Sequence, residues 1–172
     1  MVNLESLIRD VPDFPKPGIV FKDVLPVLAD PDACRQAVDA MIAPFRDAGP
    51  QVVVGVESRG FLFGALAARE LGVGFVAARK PGKLPGRTVR KEYELEYGTD
   101  AIEMQAGAIQ PGQKALMVDD LLATGGTMAA ACALVRDAGA EIVGVTFLIE
   151  LDFLHGRQKL TDYDVRSLIH VA

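Results

Sequence analysis

The chain has 172 residues, half of them hydrophobic, and a net charge of -5 at pH 7. That length supports one domain around a buried core and is too short for two, and the acidic balance suits neither a general nucleic-acid binder nor an anion site without a local basic patch. No apolar run reaches the ~18 residues of a membrane span, and Glu5, Arg9 and Asp10 interrupt any secretory core; Cys34 and Cys132, far apart and without metal or redox spacing, are expected to be reduced thiols of a cytoplasmic protein.

A short helix is expected at 4–9. Pro12, Pro15, Pro17, Gly18 and Pro26 then forbid a long regular element, so 11–27 is predicted to be an ordered but irregular arm. Asp30-Pro31 reads as an N-cap followed by proline in the first turn, and Val38, Met41, Ile42 and Phe45 recur at helical spacing until Gly49-Pro50. Val52-Val53-Val54-Gly55-Val56 is a β-branched run without alternation, as in a parallel strand covered on both faces. A helix over 60–71, strands over 73–78 and 115–119, a helix over 127–138 and a strand over 142–149 continue the alternation. A short helix near 153–160 and a strand over 165–171 complete it. This order predicts an α/β fold built on a parallel sheet with right-handed crossovers, and 1–172 reads as a single domain. Residues 80–113 are too long for a passive connection and are expected to be a functional flap.

The chemistry concentrates in the run from Leu116 to Thr127, where an apolar strand leads through Asp119-Asp120 and Thr124-Gly125-Gly126-Thr127 into a helix. Free backbone N–H groups at the positive end of that helix suit a phosphate, the glycines permit the tight path, and the threonine hydroxyls add donors. Without a lysine the loop is not a Walker A motif. Carboxylates just before it are acceptors for the paired hydroxyls of a ribose. An isolated Asp-Asp would more simply cap a turn; the whole run is more specific than that.

Glu57-Ser58-Arg59-Gly60 also joins a buried strand to a helix, with an arginine able to fork onto a second phosphate. Arg79, Lys80, Lys83, Arg87, Arg90 and Lys91 reverse the local charge within thirteen positions, interleaved with Pro81, Gly82, Pro85 and Gly86. Other chemistries fail on context. Gly72-Val73-Gly74-Phe75-Val76-Ala77 matches a dinucleotide pattern but runs from helix to strand, the reverse of the required order. Ser58 lacks the glycine of a nucleophile elbow, and the two histidines, His155 and His170, lie near the C-terminus.

The run from Leu116 to Thr127 resembles the phosphoribosyl-diphosphate-binding motif of type I phosphoribosyltransferases. Phe14 to Asp23, Glu57 to Gly64, Lys83-Leu84-Pro85-Gly86 and Leu95-Glu96-Tyr97-Gly98 are similar to adenine phosphoribosyltransferases, so the likeness runs from about residue 11 to 164. The resemblance implies a central, mainly parallel sheet flanked by helices, with a small N-terminal hood at about 11–27 and a flexible flap at about 80–113. It implies conversion of adenine and 5-phosphoribosyl 1-diphosphate to AMP and pyrophosphate by a cytoplasmic homodimer that binds neither nucleic acid nor membrane. Mg²⁺ is then held mainly through the substrate, with no direct protein ligand.

Residue by residue, the resemblance gives Ala123, Thr124, Gly125, Gly126 and Thr127 the 5′-phosphate and Asp119 and Asp120 the ribose. Glu57, Ser58, Arg59, Arg79, Lys80 and Lys83 take the pyrophosphate, with a cis peptide at Glu57-Ser58. Phe21 stacks on the purine, the Val20 backbone reads its edge, and Lys22 lies nearby at a position where arginine is also common. Tyr97 belongs to the flap, Glu96 takes the proton from N7 of adenine as N9 attacks, and Arg59 with the flap cations stabilises the departing pyrophosphate. Two other readings stay open: a transferase for another purine (hypoxanthine, guanine or xanthine), and a non-catalytic regulator that senses phosphoribosyl diphosphate. Against the regulator stand an intact pyrophosphate loop, Glu96, and no room for a DNA-binding domain.

Overall fold

Val52, Val54 and Val56 turn to one side of their strand and Val53 to the other, and all four are buried, so helices must cover both faces. A computed structural model describes residues 2–94 and 98–172. In chain order the elements are β1 (Arg9–Pro12), β2 (Val20–Asp23), α1 (Leu25–Ala29), α2 (Pro31–Ile42), β3 (Val52–Val56), α3 (Gly60–Leu71), β4 (Gly74–Ala78), β5 (Thr88–Glu94), β6 (Thr99–Gln105), β7 (Lys114–Leu122), α4 (Gly126–Asp137), β8 (Glu141–Leu151) and β9 (Val165–Val171). Five strands form the central sheet in the order β4-β3-β7-β8-β9, every neighbouring pair parallel.

One face of the sheet packs Val53, Leu116 and Val118 against α2 and α3, through residues such as Met41, Ile42 and Phe63. The other packs Met117, Val145 and Phe147 against α4, with Met128, Leu134 and Val135. Helix α2 starts as the sequence predicts: the Asp30 carboxylate accepts from the N–H groups of Asp32 and Ala33, each at 2.9 Å, a cap worth about 1 kcal/mol. It ends at Ile42 and tightens into a 3₁₀ turn at Ala43–Ala48, because Pro44 has no N–H to continue the α pattern.

The N-terminal arm corrects the expectation of irregularity. β1 and β2 pair antiparallel, Arg9 opposite Asp23 and Pro12 opposite Val20. The prolines sit at the strand end and in the connection, positions a two-stranded ribbon tolerates, and Pro26 occupies the first turn of α1. The helix expected at 4–9 is only a 3₁₀ turn at Glu5–Leu7, and that expected near 153–160 is two 3₁₀ turns, Asp152–Leu154 and Gly156–Lys159, parted by His155 at φ 53°.

Within 80–113, β5 and β6 form an antiparallel hairpin. Ala101, Ile102, Met104 and Ile109 are buried in the core, so the second half of this segment is scaffold. β7 runs three residues further than predicted, which puts Asp119 and Asp120 inside a strand rather than at its end. Among the described residues no helix is long and apolar enough to cross a membrane.

Candidate active site

Because β3 and β7 are adjacent and parallel, the loops that leave their C-terminal ends open side by side. Between them lies a cleft of about 260 Å³ that brings together Glu57, Ser58, Arg59, Asp119, Asp120 and residues 121–128. A larger groove of about 880 Å³ runs between α2 and α3, but it is apolar and contains none of the expected substrate-binding residues.

Gly125 caps α4 at φ 76°, a left-handed conformation that favours glycine. The first N–H groups of α4 have no intrahelical partner and face this end of the cleft, at the positive pole of the helix. Gly126 lies beneath the ring of Tyr93, and a Cβ there would meet that ring at 3.2 Å. Thr127 donates its hydroxyl to the Tyr93 oxygen at 3.1 Å, Tyr93 donates to Asp100 at 3.3 Å, and Asp100 pairs with Lys80 at 3.0 Å. The loop that opens α4 is thereby linked through the β5–β6 hairpin to Lys80, a residue expected at the pyrophosphate end. Burial raises the Tyr93 pKa, so the phenol stays protonated and available as a donor.

The two aspartates differ. Asp119 lies against the start of α3, where a side chain at Gly60 would run into its carboxylate. Burial, and then the neighbouring charge of Asp120, push its carboxyl well above the ordinary range, while the Asp120 N–H donates to it at 2.8 Å. Asp120 is buried and receives Arg59 Nε at 2.5 Å. The same guanidinium stands 5.0 Å from the centre of the Phe21 ring, which meets Phe14 edge-on at 5.2 Å. Arg59, expected on pyrophosphate, thus joins the Asp120 carboxylate, expected on the ribose, to the aromatic of the N-terminal ribbon.

Arg79 and Lys22 are engaged as well. Arg79 pairs with Glu57 at 2.9 Å and donates to the Lys83 carbonyl at 3.1 Å. The peptide between Glu57 and Ser58 is cis, as the resemblance implied. Lys83 is exposed, and Val20 is half exposed on β2. Lys22 points to Asp10, its cross-strand partner, at 2.7 Å, so its ammonium is committed outside the cleft. Glu96 and Tyr97 lie outside the described residues.

Sequence reasoning missed Tyr93, Asp100 and Asp10. None belongs to a motif; each acts through a partner far away in the chain. The three residues Glu150, Asp152 and His170 are close enough together to suggest a metal, but Glu150 is already taken by Arg157 and Ser167.

The phosphoribosyl transferase domain family matches residues 28–171. The chain is 55% identical over 168 residues to the adenine phosphoribosyltransferase of Desulfitobacterium hafniense, covering 98% of this chain and 97% of that one. The corresponding protein of Nitrosococcus oceani is 52% identical, with 99% of both chains covered. Among solved structures, adenine phosphoribosyltransferase from Rhodothermus marinus superposes with a TM-score of 0.95 at 50% identity, covering 98% of this chain and 96% of that one. The Saccharomyces cerevisiae enzyme, complexed with adenine and an imino-altritol bisphosphate, gives 0.90 at 44% identity, with 96% of each chain covered.

Proposed function

Since this chain belongs to the phosphoribosyl transferase family and carries its type I fold, we propose a division of labour in the cleft for a purine-salvage enzyme that converts adenine and 5-phosphoribosyl 1-diphosphate to AMP and pyrophosphate. One observation carries this reading. The N-terminus of α4, the carboxylates of Asp119 and Asp120, Arg59 and the Phe21 ring follow one another in space as phosphate, ribose and base do in a nucleotide.

Residues Ala123 to Thr127 bind the 5′-phosphate through backbone N–H groups and the Thr124 hydroxyl, with the Thr127 hydroxyl turning from Tyr93 to the phosphate. Asp119 and Asp120 accept from the ribose hydroxyls. Phe21 stacks on adenine and the Val20 backbone reads its edge, with Lys22 contributing from a distance while it is held by Asp10. Glu57, Ser58, Arg79, Lys80 and Lys83 receive pyrophosphate, and Arg59 joins them when a ribose hydroxyl takes its place on Asp120. Substitution at the anomeric carbon leaves positive charge on the sugar, so catalysis comes from orientation, exclusion of water and stabilisation of the leaving pyrophosphate. Glu96 accepts the proton from N7 of adenine as N9 attacks, and Tyr97 helps close the flap.

Carboxylate and phosphate oxygens suit Mg²⁺, which keeps waters and favours substrate phosphates over all-protein cages. With Asp120 and Glu57 already matched by guanidiniums, the protein leaves that ion to the substrate. When bound, Mg²⁺ neutralises the charge of the leaving pyrophosphate. The family resemblance supports a homodimer, and the groove between α2 and α3, where Leu62 and Leu66 are 46% and 36% exposed, offers it an apolar face. The unpaired Cys34 and Cys132 suit a cytoplasmic setting, and the acidic surface argues against a nucleic-acid partner.

The test is AMP formation from adenine, phosphoribosyl diphosphate and Mg²⁺, with hypoxanthine, guanine and xanthine in parallel. Turnover with adenine alone is expected. Preference for another base would reassign the purine, and phosphoribosyl diphosphate binding without turnover on any base would make the chain a sensor.

A further inference from the structure

We infer that the turn at Gly156–Lys159 is a buttress that sets the position of the phosphate loop, and that Arg157, with Glu150 and Ser167, is a positioning residue for phosphate binding. The inference rests on reading residues 123–127 as the 5′-phosphate loop.

Three observations carry it. The first is a direct contact between two backbones. A Cβ on Gly125 would run into the Gly156 carbonyl, and a Cβ on Gly156 would run into the Ala123 carbonyl and come within 3.0 Å of the Gly125 nitrogen. Gly125 needs its glycine for a positive φ as well, but Gly156 does not have one, so there the requirement is space alone. The loop rests on the turn with no side chain between them.

The second is what holds the turn. Arg157 donates through Nε to Glu150 Oε1 at 3.0 Å, through Nη2 to Glu150 Oε2 at 2.5 Å, and through Nη1 to the Val165 carbonyl at 2.7 Å. Ser167 donates its hydroxyl to Glu150 Oε2 at 2.6 Å. Glu150 is 4% exposed, and its register partner across the sheet is Leu122, the residue immediately before the loop. The clamp therefore ties β8 and β9 to the turn beside the point where the chain leaves β7. Burial alone would raise the Glu150 pKa, but the bonds from Arg157 and Ser167 outweigh it and hold the carboxyl below its ordinary value. A forked guanidinium fixes direction as well as distance, which a lysine cannot do.

The third is the composition of the loop itself. From Ala115 to Val135 the sequence contains no lysine or arginine. A phosphate here depends on backbone N–H groups whose strength falls steeply with distance and angle, so a cradle without cations needs its backbone held to a fraction of an ångström.

The test compares Gly156→Ala, Arg157→Lys and Ser167→Ala with the parent enzyme, measuring the AMP dissociation constant, KM for phosphoribosyl diphosphate and for adenine, kcat, and the thermal melt with near-UV circular dichroism. Arg157→Lys and Gly156→Ala are expected to weaken AMP and raise KM for phosphoribosyl diphosphate by about tenfold, about 1.4 kcal/mol, with Ser167→Ala smaller in the same direction. KM for adenine at saturating phosphoribosyl diphosphate should change by less than about twofold, a split that general destabilisation would not produce. Folded Arg157→Lys protein that binds AMP as the parent does would overturn the inference, as would equal losses for both substrates. Arg157→Lys and Ser167→Ala decide the matter if Gly156→Ala does not fold. Thr127→Val is the control for the loop: weakened AMP binding there, with none in the clamp variants, removes the buttress and leaves the loop reading intact. Unchanged AMP binding in Thr127→Val removes the loop reading and the inference with it.

Discussion

The loop that leads into α4 and the segments around Glu57 and Arg79 are both suited to phosphate groups, yet they are built in opposite ways. The first is uncharged, made of backbone and hydroxyls, and wedged against a second backbone at Gly156. The second is cationic, and three of its positive groups already have carboxylate partners: Arg59 with Asp120 at 2.5 Å, Arg79 with Glu57 at 2.9 Å and Lys80 with Asp100 at 3.0 Å. A neutral cradle works only if it is fixed beforehand, because a displaced dipole loses most of its attraction. A cationic site tolerates movement but must release one anion to take another, so on the proposed assignment its internal ion pairs are stand-ins for the leaving group. With the proposed assignment of the two regions, the difference matches the reaction, in which the 5′-phosphate stays attached to the product and pyrophosphate departs.

The largest effect should come from Arg59→Ala. It strands the buried Asp120 carboxylate and removes the cation over Phe21, so unfolding in urea should show a loss of about 3 kcal/mol, with turnover falling with it. Adding Asp120→Asn should restore most of the stability and none of the activity. Full stability in Arg59→Ala alone would mean that the pair is not the stand-in described above. Gly125→Ala comes next. It forces a side chain into a left-handed conformation and against the Gly156 carbonyl, and about 2 kcal/mol of stability and at least about tenfold in AMP affinity should be lost by calorimetry.

Acid should distinguish the two regions through Glu150. Its folded pKa is lowered, so its contribution is complete above the ordinary value of 4.5 and is lost as pH falls through the lowered value. AMP affinity and melting temperature should therefore fall together as the pH drops below 4.5, and Glu150→Gln should flatten that part of the stability profile. A Gln variant with the parent's acid profile would place the transition elsewhere. The smallest effect is expected for Asp100→Ala, which frees Lys80 from an ion pair worth at most about 1 kcal/mol. Pyrophosphate should then bind about two- to threefold more tightly in the reverse reaction. Weaker binding would show that Asp100 orients Lys80 rather than occupying it.

How much of this was legible beforehand follows the range of the interactions involved. Asp30-Pro31 announces the start of α2 because a cap is made within three residues, and Val52 to Val56 announces a doubly covered strand because burial is written in consecutive side chains. The β1–β2 ribbon was hidden because four-residue strands carry too short a pattern and the prolines between them read as breakers. The buried half of 80–113 was hidden by the charged half that precedes it.

The tight turn from Ala123 into α4, proposed above as the phosphate loop, was legible in the sequence alone, since a helix start, two glycines and two hydroxyls lie on contiguous backbone. What each neighbouring charge does was decided only by the tertiary structure. Arg59 finds Asp120 across 61 positions, and Gly156 lies against Ala123 and Gly125 of a distant loop, because β7 and β8 lie side by side and the chain returns to that edge. Local backbone geometry is set by a few adjacent residues. Which cation meets which carboxylate depends on strand order.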